Sequence, residues 1–304
     1  MPVAAKNLSD QRGNALGIGF FRVVIRALGP RCACAMVWFV AFFYAVCDGT
    51  ARRAATPYLR SRFPKAGTMA RRWHFYRLIV AQGQVIILAH WLRSGRQVPI
   101  REEQPEHLRD ALCDRRRGLI LLISHVGCWQ AALTYLENYQ RPVNLLIQAN
   151  ANVHIARMFQ GQHVTIINND GPFGGLLDCV AALERGEIVC IMGDRQTGDH
   201  EEALPMTMLG RRLFIPRSPW LLAARCRCAI VPVFTLMRGM AGGIDFFFAP
   251  PITIEYNLPR KPPADIFTPY IAQYAAALEK MAVDHPYQLF HYDHQASTAT
   301  PRET

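Results

Sequence analysis

One histidine in this chain occupies a position where chemistry is expected. His125 follows Ser124 and an unbroken apolar run at residues 119–123, and a turn containing Gly127 comes next. The run is typical of a buried strand that ends at the histidine, and residues 129–137 then have helical spacing. Ligands bind at the carboxyl ends of strands in open α/β sheets. We therefore expect the His125 imidazole to act as a general base.

A second apolar run, at residues 188–192, also ends in polar residues, here Gly193, Asp194 and Arg195. If the two runs are neighbouring parallel strands, His125 and Asp194 share one edge of the sheet. Arg195 is then placed to hold a phosphate or carboxylate, and Asp194 to fix a loop or orient a donor. The alternative is a structural ion pair at the end of the strand.

The residues after His125 set its chemistry. Gly127 is expected to let a substrate approach the backbone. Five residues after the histidine stands Gln130, where a general base would normally have a carboxylate. An amide oxygen can accept from the ring, but it cannot offset the charge of an imidazolium. Cys128 offers a different chemistry, since a thiolate near a helix start can carry an acyl group; its alternative role is a small packed thiol.

Two further segments are candidates for binding. Arg211 lies in a basic turn within residues 208–219 that runs into a proline-rich helix start, which suits an anionic carrier or phosphopantetheine; the alternative is a solvated turn. Residues 285–294 place His291 and His294 at a spacing compatible with metal binding, but we expect an aromatic-rich tail that closes against the domain. The nine cysteines are predicted to be free thiols of a reducing compartment. No metal or other cofactor is expected.

The segments between these sites alternate between strand and helix, which predicts an α/β fold with a largely parallel sheet covered by helices. Strands are predicted at residues 120–124, 143–148, 164–167, 188–192, 230–236 and 245–248. Helices are predicted at residues 72–92, 105–117, 129–138, 152–160, 173–185, 218–225 and 266–284. We divide the chain into a basic N-terminal region (1–72), an α/β domain (73–294) and a frayed tail (295–304).

Positive charge is concentrated in the N-terminal region. Residues 1–72 contain twelve lysines and arginines but two acids, while the whole chain carries +11. Within this region, residues 32–47 are uncharged and rich in aromatics, and no motif for nucleic-acid binding accompanies them. An apolar helix flanked by arginine is typical of association with an anionic membrane surface. Sixteen residues cover about 24 Å, less than a hydrocarbon core of about 30 Å. This favours an interfacial or re-entrant helix over a span; a buried core helix is the alternative.

Several of these motifs together resemble the lysophospholipid acyltransferase superfamily, in particular its lipid A late-acyltransferase branch. The first block of that branch, His-x-Gly-Asn-Trp-Glu, corresponds here to the six residues from His125 to Gln130. Residues 193–195, a Leu-Gly pair followed by Pro216, and residues 229–234 resemble later blocks. The ending at residues 286–293 resembles a subgroup found with aryl-polyene-type pigment clusters. The resemblance covers roughly residues 16–294.

The resemblance implies an acyltransferase at the cytoplasmic face of the inner membrane of a Gram-negative cell. It implies transfer of an acyl chain from acyl carrier protein or coenzyme A to a hydroxyl of a lipid or glycolipid-like acceptor. In this mechanism His125 is the base, and a carboxylate stabilises its imidazolium. Gln130 replaces that carboxylate and Cys128 replaces the asparagine.

Three hypotheses follow from these departures. In the first, the chain is an acyltransferase in which Gln130 orients the base or another carboxylate, Asp194 or Glu137, takes its place. In the second, it is a weak or inactive lipid-binding member of the same fold. In the third, Cys128 carries out acyl transfer or hydrolysis.

Overall fold

The computed structural model describes residues 15–136, 141–147, 164–169, 172–194, 202–239, 242–255, 258–259 and 262–290. Within these residues the helices are α1 (Ala15–Cys47), α2 (Gly49–Arg62), α3 (Thr68–Arg93), α4 (Pro105–Cys113), α5 (Gln130–Leu136), α6 (Leu176–Glu184), α7 (Ser218–Cys226) and α8 (Thr268–Asp284). The strands are β1 (Ile100–Glu103), β2 (Leu119–Gly127), β3 (Val143–Ile147), β4 (Val164–Asn168), β5 (Ile188–Met192), β6 (Ala203–Met208), β7 (Arg211–Pro216), β8 (Ala229–Met237) and β9 (Ile244–Phe248).

Seven of these strands form one sheet in the order β1-β9-β8-β2-β5-β3-β4, and only the β8–β9 pairing is antiparallel. The predicted α/β fold with a largely parallel sheet is therefore confirmed. The central strands are continuous apolar runs, as is typical of strands that helices cover on both faces of a sheet. Buried side chains on the two faces form two large apolar cores.

Most of the predicted elements are present, with shifted ends. The predicted strand at residues 188–192 has the same bounds as β5. The predicted helix at residues 266–284 corresponds to α8, which begins at Thr268 after a short 3-10 helix. The apolar positions that give this prediction its helical spacing are all buried: 271, 274, 275, 278 and 282. The predicted helix at residues 152–160 lies outside the described residues.

Two parts of the fold were not predicted. The strand β1 is polar and exposed because it lies at the edge of the sheet and pairs with β9 alone. The antiparallel hairpin of β6 and β7 forms a separate two-stranded sheet. The segment that we predicted as a basic turn, residues 208–219, contains β7 and begins at the last residue of β6. The turn is correct, since Leu209 and Gly210 connect the two strands with positive φ angles. The strands flanking it lack a continuous apolar run.

The N-terminal helices form an apolar layer of their own. Helices α1 and α3 pack closely, and a Cβ on Gly83 of α3 would lie 2.7 Å from a methyl of Val37 on α1. Helix α1 bends where Gly29 takes a non-helical conformation before Pro30. The predicted domain boundary at residue 72 falls within α3 and stays a prediction.

Two helical stretches of 25 residues, Val23–Cys47 and Thr68–Leu92, are long and apolar enough to cross a membrane. The first is longer than the sixteen apolar residues on which we based an interfacial helix. Its aromatic face is exposed, with Phe39 80% and Phe42 64% accessible. This exposure does not fit a helix buried in the core of the protein.

Candidate functional site

The site is built where β2 and β5 end side by side. The two strands pair in parallel from Leu119 and Ile188 up to Ile123 and Met192. Beyond this point β2 continues to Gly127, with a shift in its register against β8. We predicted that the strand stops at the histidine; instead His125 lies inside this irregular extension. Irregular strand ends of this kind are frequent next to active sites, because they redirect a side chain.

Gly193 brings the end of β5 close to β2. Its N–H donates to the carbonyl of Ile123 at 2.9 Å. A Cβ at this position would lie 2.5 Å from the Leu122 side chain, so glycine allows the close approach. The next residue, Asp194, is thereby placed directly beside His125.

Asp194 holds His125 through both its backbone and its ring. One carboxylate oxygen accepts the His125 backbone N–H at 2.7 Å, and the other lies 3.1 Å from Nδ1 of the ring. The carboxylate is completely buried, whereas a quarter of the His125 side chain is exposed. A proton on Nδ1 is therefore held toward Asp194, which leaves the lone pair on Nε2. The edge shared by His125 and Asp194 follows the sequence-based prediction.

Gln130, the predicted partner of the base, lies elsewhere in the hydrogen-bond pattern. Its amide oxygen accepts from the Cys128 thiol at 3.7 Å, at the start of α5. Cys128 itself is fully buried, and its backbone N–H donates to Thr235 at 2.8 Å. Burial raises the pKa of the Cys128 thiol to about 12, so the thiol stays protonated near neutral pH.

Gly127 packs against the protein's own backbone. It has a φ of 59°, and a Cβ there would lie 1.9 Å from the Thr235 carbonyl oxygen. This packing is sufficient reason for glycine at position 127.

Arg211 begins β7 in the two-stranded sheet and not in the sheet that carries His125. Burial lowers the pKa of Arg211. Arg195 and Glu137 lie outside the described residues.

The closing segment, residues 285–290, contributes contacts that we did not predict in detail. Its Phe290 N–H donates to the His125 carbonyl at 2.8 Å, and its Gln288 carbonyl accepts the Gly127 N–H at 2.7 Å. The Gln288 side chain makes two hydrogen bonds with the backbone of Met237 in β8, at 2.8 and 2.9 Å. This segment is the beginning of the aromatic-rich tail predicted to close against the domain. His291 and His294 lie outside the described residues.

A tyrosine and a serine lie behind the pair on the buried side. Tyr274 of α8 is completely buried, and its pKa is raised by burial and by the negative charge of Asp194. Ser124 precedes His125 and is also buried.

Among the described residues, no group of three histidines, cysteines or acids is placed to hold a metal ion.

An imidazole that is one quarter exposed and is held by a buried carboxylate at the edge of a parallel sheet can remove a proton from a hydroxyl group. This arrangement is one found in enzymes that transfer groups to hydroxyls. The family model of the bacterial lipid A biosynthesis acyltransferases matches residues 8–288. The chain therefore belongs to the bacterial lipid A biosynthesis acyltransferase family, and acts as an acyltransferase on lipid-like acceptors.

Among solved structures, the chain is similar to the 1-acyl-sn-glycerophosphate (LPA) acyltransferase PlsC from Thermotoga maritima, with 10% sequence identity and a TM-score of 0.39. The similarity covers 84% of this chain and 97% of the other. No curated protein matched the sequence.

Proposed function

We propose that the protein is a membrane-associated O-acyltransferase in which His125 is the general base and Asp194 orients it. The acyl chain comes from a thioester on acyl carrier protein or coenzyme A, and the acceptor is a hydroxyl of a lipid or glycolipid. The observation that supports this proposal is the contact of the buried Asp194 carboxylate with Nδ1 and the backbone of His125.

The reaction requires one proton to move twice. Nε2 of His125 takes the proton of the acceptor hydroxyl while its oxygen attacks the carbonyl carbon of the thioester. The tetrahedral intermediate collapses, the C–S bond breaks, and the imidazolium returns the proton to the departing sulfur. Asp194 fixes the tautomer and offsets the positive charge of the imidazolium between the two steps.

This assignment gives the carboxylate role to Asp194, 69 positions after His125, and not to Gln130. The lipid-binding alternative rested on the absence of a carboxylate at position 130, so a carboxylate from β5 removes its main support. The Cys128 alternative needs a thiolate, which burial of the thiol disfavours. Gln130 is better explained as a partner that holds Cys128 at the start of α5.

The cytoplasmic face of the inner membrane is the proposed location. The two apolar helical stretches and the basic residues around them support a contact with an anionic leaflet. The likeness of the tail to the aryl-polyene-type subgroup leads us to propose that subgroup for the chain. We also propose that Arg195 and Arg211 contact an anionic part of the donor or acceptor.

The test is acyl transfer from a radiolabelled acyl thioester to a lipid extract in detergent, with either carrier protein or coenzyme A as donor. His125→Ala should lower the rate by about 10²- to 10⁴-fold, the usual contribution of a general base. Cys128→Ala and Gln130→Glu should stay within a few-fold of the wild-type protein. Wild-type activity in His125→Ala would refute the proposal, and loss of activity in a folded Cys128→Ala protein would favour the third hypothesis.

A further inference from the structure

A cavity lies beside the closing segment, away from the His125 ring. It has a volume of about 320 Å³ and is bounded by Trp38 of α1, by Arg77 and Gln84 of α3, and by Tyr287 and Gln288. Gln288 also accepts the backbone N–H of Gly127, so one wall of this cavity supports the strand that carries His125. The cavity therefore lies between the apolar N-terminal helices and the segment that bonds to the strand carrying His125.

Arg77 is the cation of the cavity, and aromatic rings surround it. Its guanidinium carbon lies 4.9 Å from the centre of the Tyr287 ring, 5.9 Å from that of Trp38 and 6.0 Å from that of Trp73. Rings engage the face of a guanidinium, while its N–H groups point outward in the plane and suit the oxygens of a phosphate. Within the described part of the chain, Arg77 forms no ion pair with a carboxylate.

The surrounding side chains hold these rings in place. The Tyr287 hydroxyl lies 2.8 Å from Nδ1 of His74, and the His74 ring stacks on Phe63 with 3.8 Å between ring centres. The acid that borders the cavity, Asp284, is paired with Lys280 at 2.5 Å. Because the Asp284 carboxylate is paired with Lys280, it does not neutralise Arg77, and the positive charge of Arg77 can attract an anion.

The cavity is continuous with an exposed apolar surface. Trp38 stands one helical turn before Phe42 on α1, and Phe42 and Phe43 are both more than half exposed. Trp73 on α3 is also half exposed. Tryptophan and tyrosine beside an arginine are typical of the level at which a protein meets lipid headgroups. An anion held at Arg77 would thus lie at the boundary between this apolar surface and the sheet domain.

We propose that the Arg77 cavity binds the phosphate of an anionic glycerophospholipid, whose acyl chains lie along the exposed aromatic face of α1. The proposal depends on the membrane contact proposed above, but not on acyl transfer. Because Gln288 lines this cavity and its carbonyl accepts the Gly127 N–H, a lipid bound there would lie next to the segment that packs on the strand carrying His125.

The full-length protein should be tested in a vesicle-binding assay at constant ionic strength, with vesicles of phosphatidylcholine alone or with one third phosphatidylglycerol. The wild-type protein should bind the anionic vesicles more tightly. Arg77→Gln should weaken that binding roughly tenfold and leave binding to neutral vesicles unchanged. Arg77→Lys should recover only part of the difference, since lysine cannot offer a planar fork of donors.

The matched control is Arg96→Gln. Arg96 also lies on an indole, 5.2 Å from Trp91, but it is not part of the cavity. The Arg96→Gln variant should bind both kinds of vesicle as tightly as the wild-type protein does. Equal losses in Arg77→Gln and Arg96→Gln, or full recovery in Arg77→Lys, would replace the site by a diffuse attraction. Displacement by millimolar inorganic phosphate would assign the cavity to a free anion, and failure of the wild-type protein to bind any vesicle would refute the membrane contact itself.

Discussion

The carboxylate of Asp194 contacts the ring of His125 although the two residues are 69 positions apart in the sequence. The family pattern places the acid five residues after the histidine, on the following helix. Here that position is an amide, and the carboxylate comes from the end of the neighbouring strand. Asp194 also accepts the His125 backbone N–H, so it contacts both the backbone and the ring of this residue.

Asp194→Asn is the sharpest test of this pair. The amide keeps the shape of the side chain, but it no longer offsets the imidazolium charge and can select the wrong tautomer. In serine-protease triads the same change lowers the rate by about 10⁴. We expect a loss of roughly 10³- to 10⁴-fold in kcat with a small change in KM, measured with the labelled acyl donor.

Its control is Gln130→Glu in the Asp194→Asn background. If position 130 can supply the missing charge, the double variant should regain activity; if Asp194 is the sole orienter, it should not. A single Asp194→Asn variant with wild-type kcat and an unchanged fold would remove Asp194 from the mechanism.

At the level of the elements, three strands and one closing segment position the histidine. β5 supplies the carboxylate, β8 supplies the Thr235 carbonyl that packs on Gly127, and the closing segment binds the backbone of β2 from the other side. The end of β2 is irregular because it must follow both neighbours at once. The position of His125 thus depends on contacts between elements distant in sequence.

Gly127→Ala tests this arrangement. The substitution adds a Cβ 1.9 Å from the Thr235 oxygen at a φ of 59°, so β2 and β8 must separate. The matched control is Gly95→Ala, where φ is 73° and no atom lies within 4 Å of the added Cβ. We expect Gly127→Ala to lower the free energy of unfolding by about 1–3 kcal/mol more than Gly95→Ala does, which is the usual cost of overpacking. Denaturant unfolding measures the difference, and equal losses would mean that β2 adapts without strain.

The whole molecule combines a sheet domain with an apolar helical layer and an uneven charge. Helices α1 and α3 pack closely where Gly83 meets Val37, and the aromatic face of α1 is exposed. Most of the excess positive charge lies in the same part of the chain. An exposed apolar surface bordered by cations suits an anionic bilayer, where burial of the aromatic rings and attraction to the headgroups add together.

Phe39→Ser tests the apolar part of this surface. Burial of a phenylalanine side chain contributes about 1.5–3 kcal/mol, so binding to neutral vesicles should weaken by roughly tenfold or more. Phe173→Ser is the matched control, because Phe173 is similarly exposed but follows β4 in the sheet domain. Co-sedimentation with vesicles measures both variants. If both variants bind equally well, the membrane contact lies elsewhere on the protein.

The sequence by itself determined the central strands, the helix α8 and the choice of His125 as the candidate base. These follow from local rules, since a continuous apolar run forms a buried strand and a polar residue after it lies at the sheet edge. It also placed Asp194 at the same edge as His125. Polar or interrupted segments such as β1 and the β6–β7 hairpin were missed, because their pairing depends on partners and not on an apolar pattern.

Only the tertiary structure decided which side chain contacts the ring of the proposed base. From the sequence, Gln130, Asp194 and Glu137 were all candidates, because spacing along a chain does not give distances in space. The parallel pairing of β2 and β5, together with the close approach at Gly193, brings Asp194 to Nδ1 of His125. The same packing places Gln130 on Cys128 and buries that thiol. A hydrogen bond depends on distances of a few tenths of an ångström, and those are set when strands distant in sequence pack together.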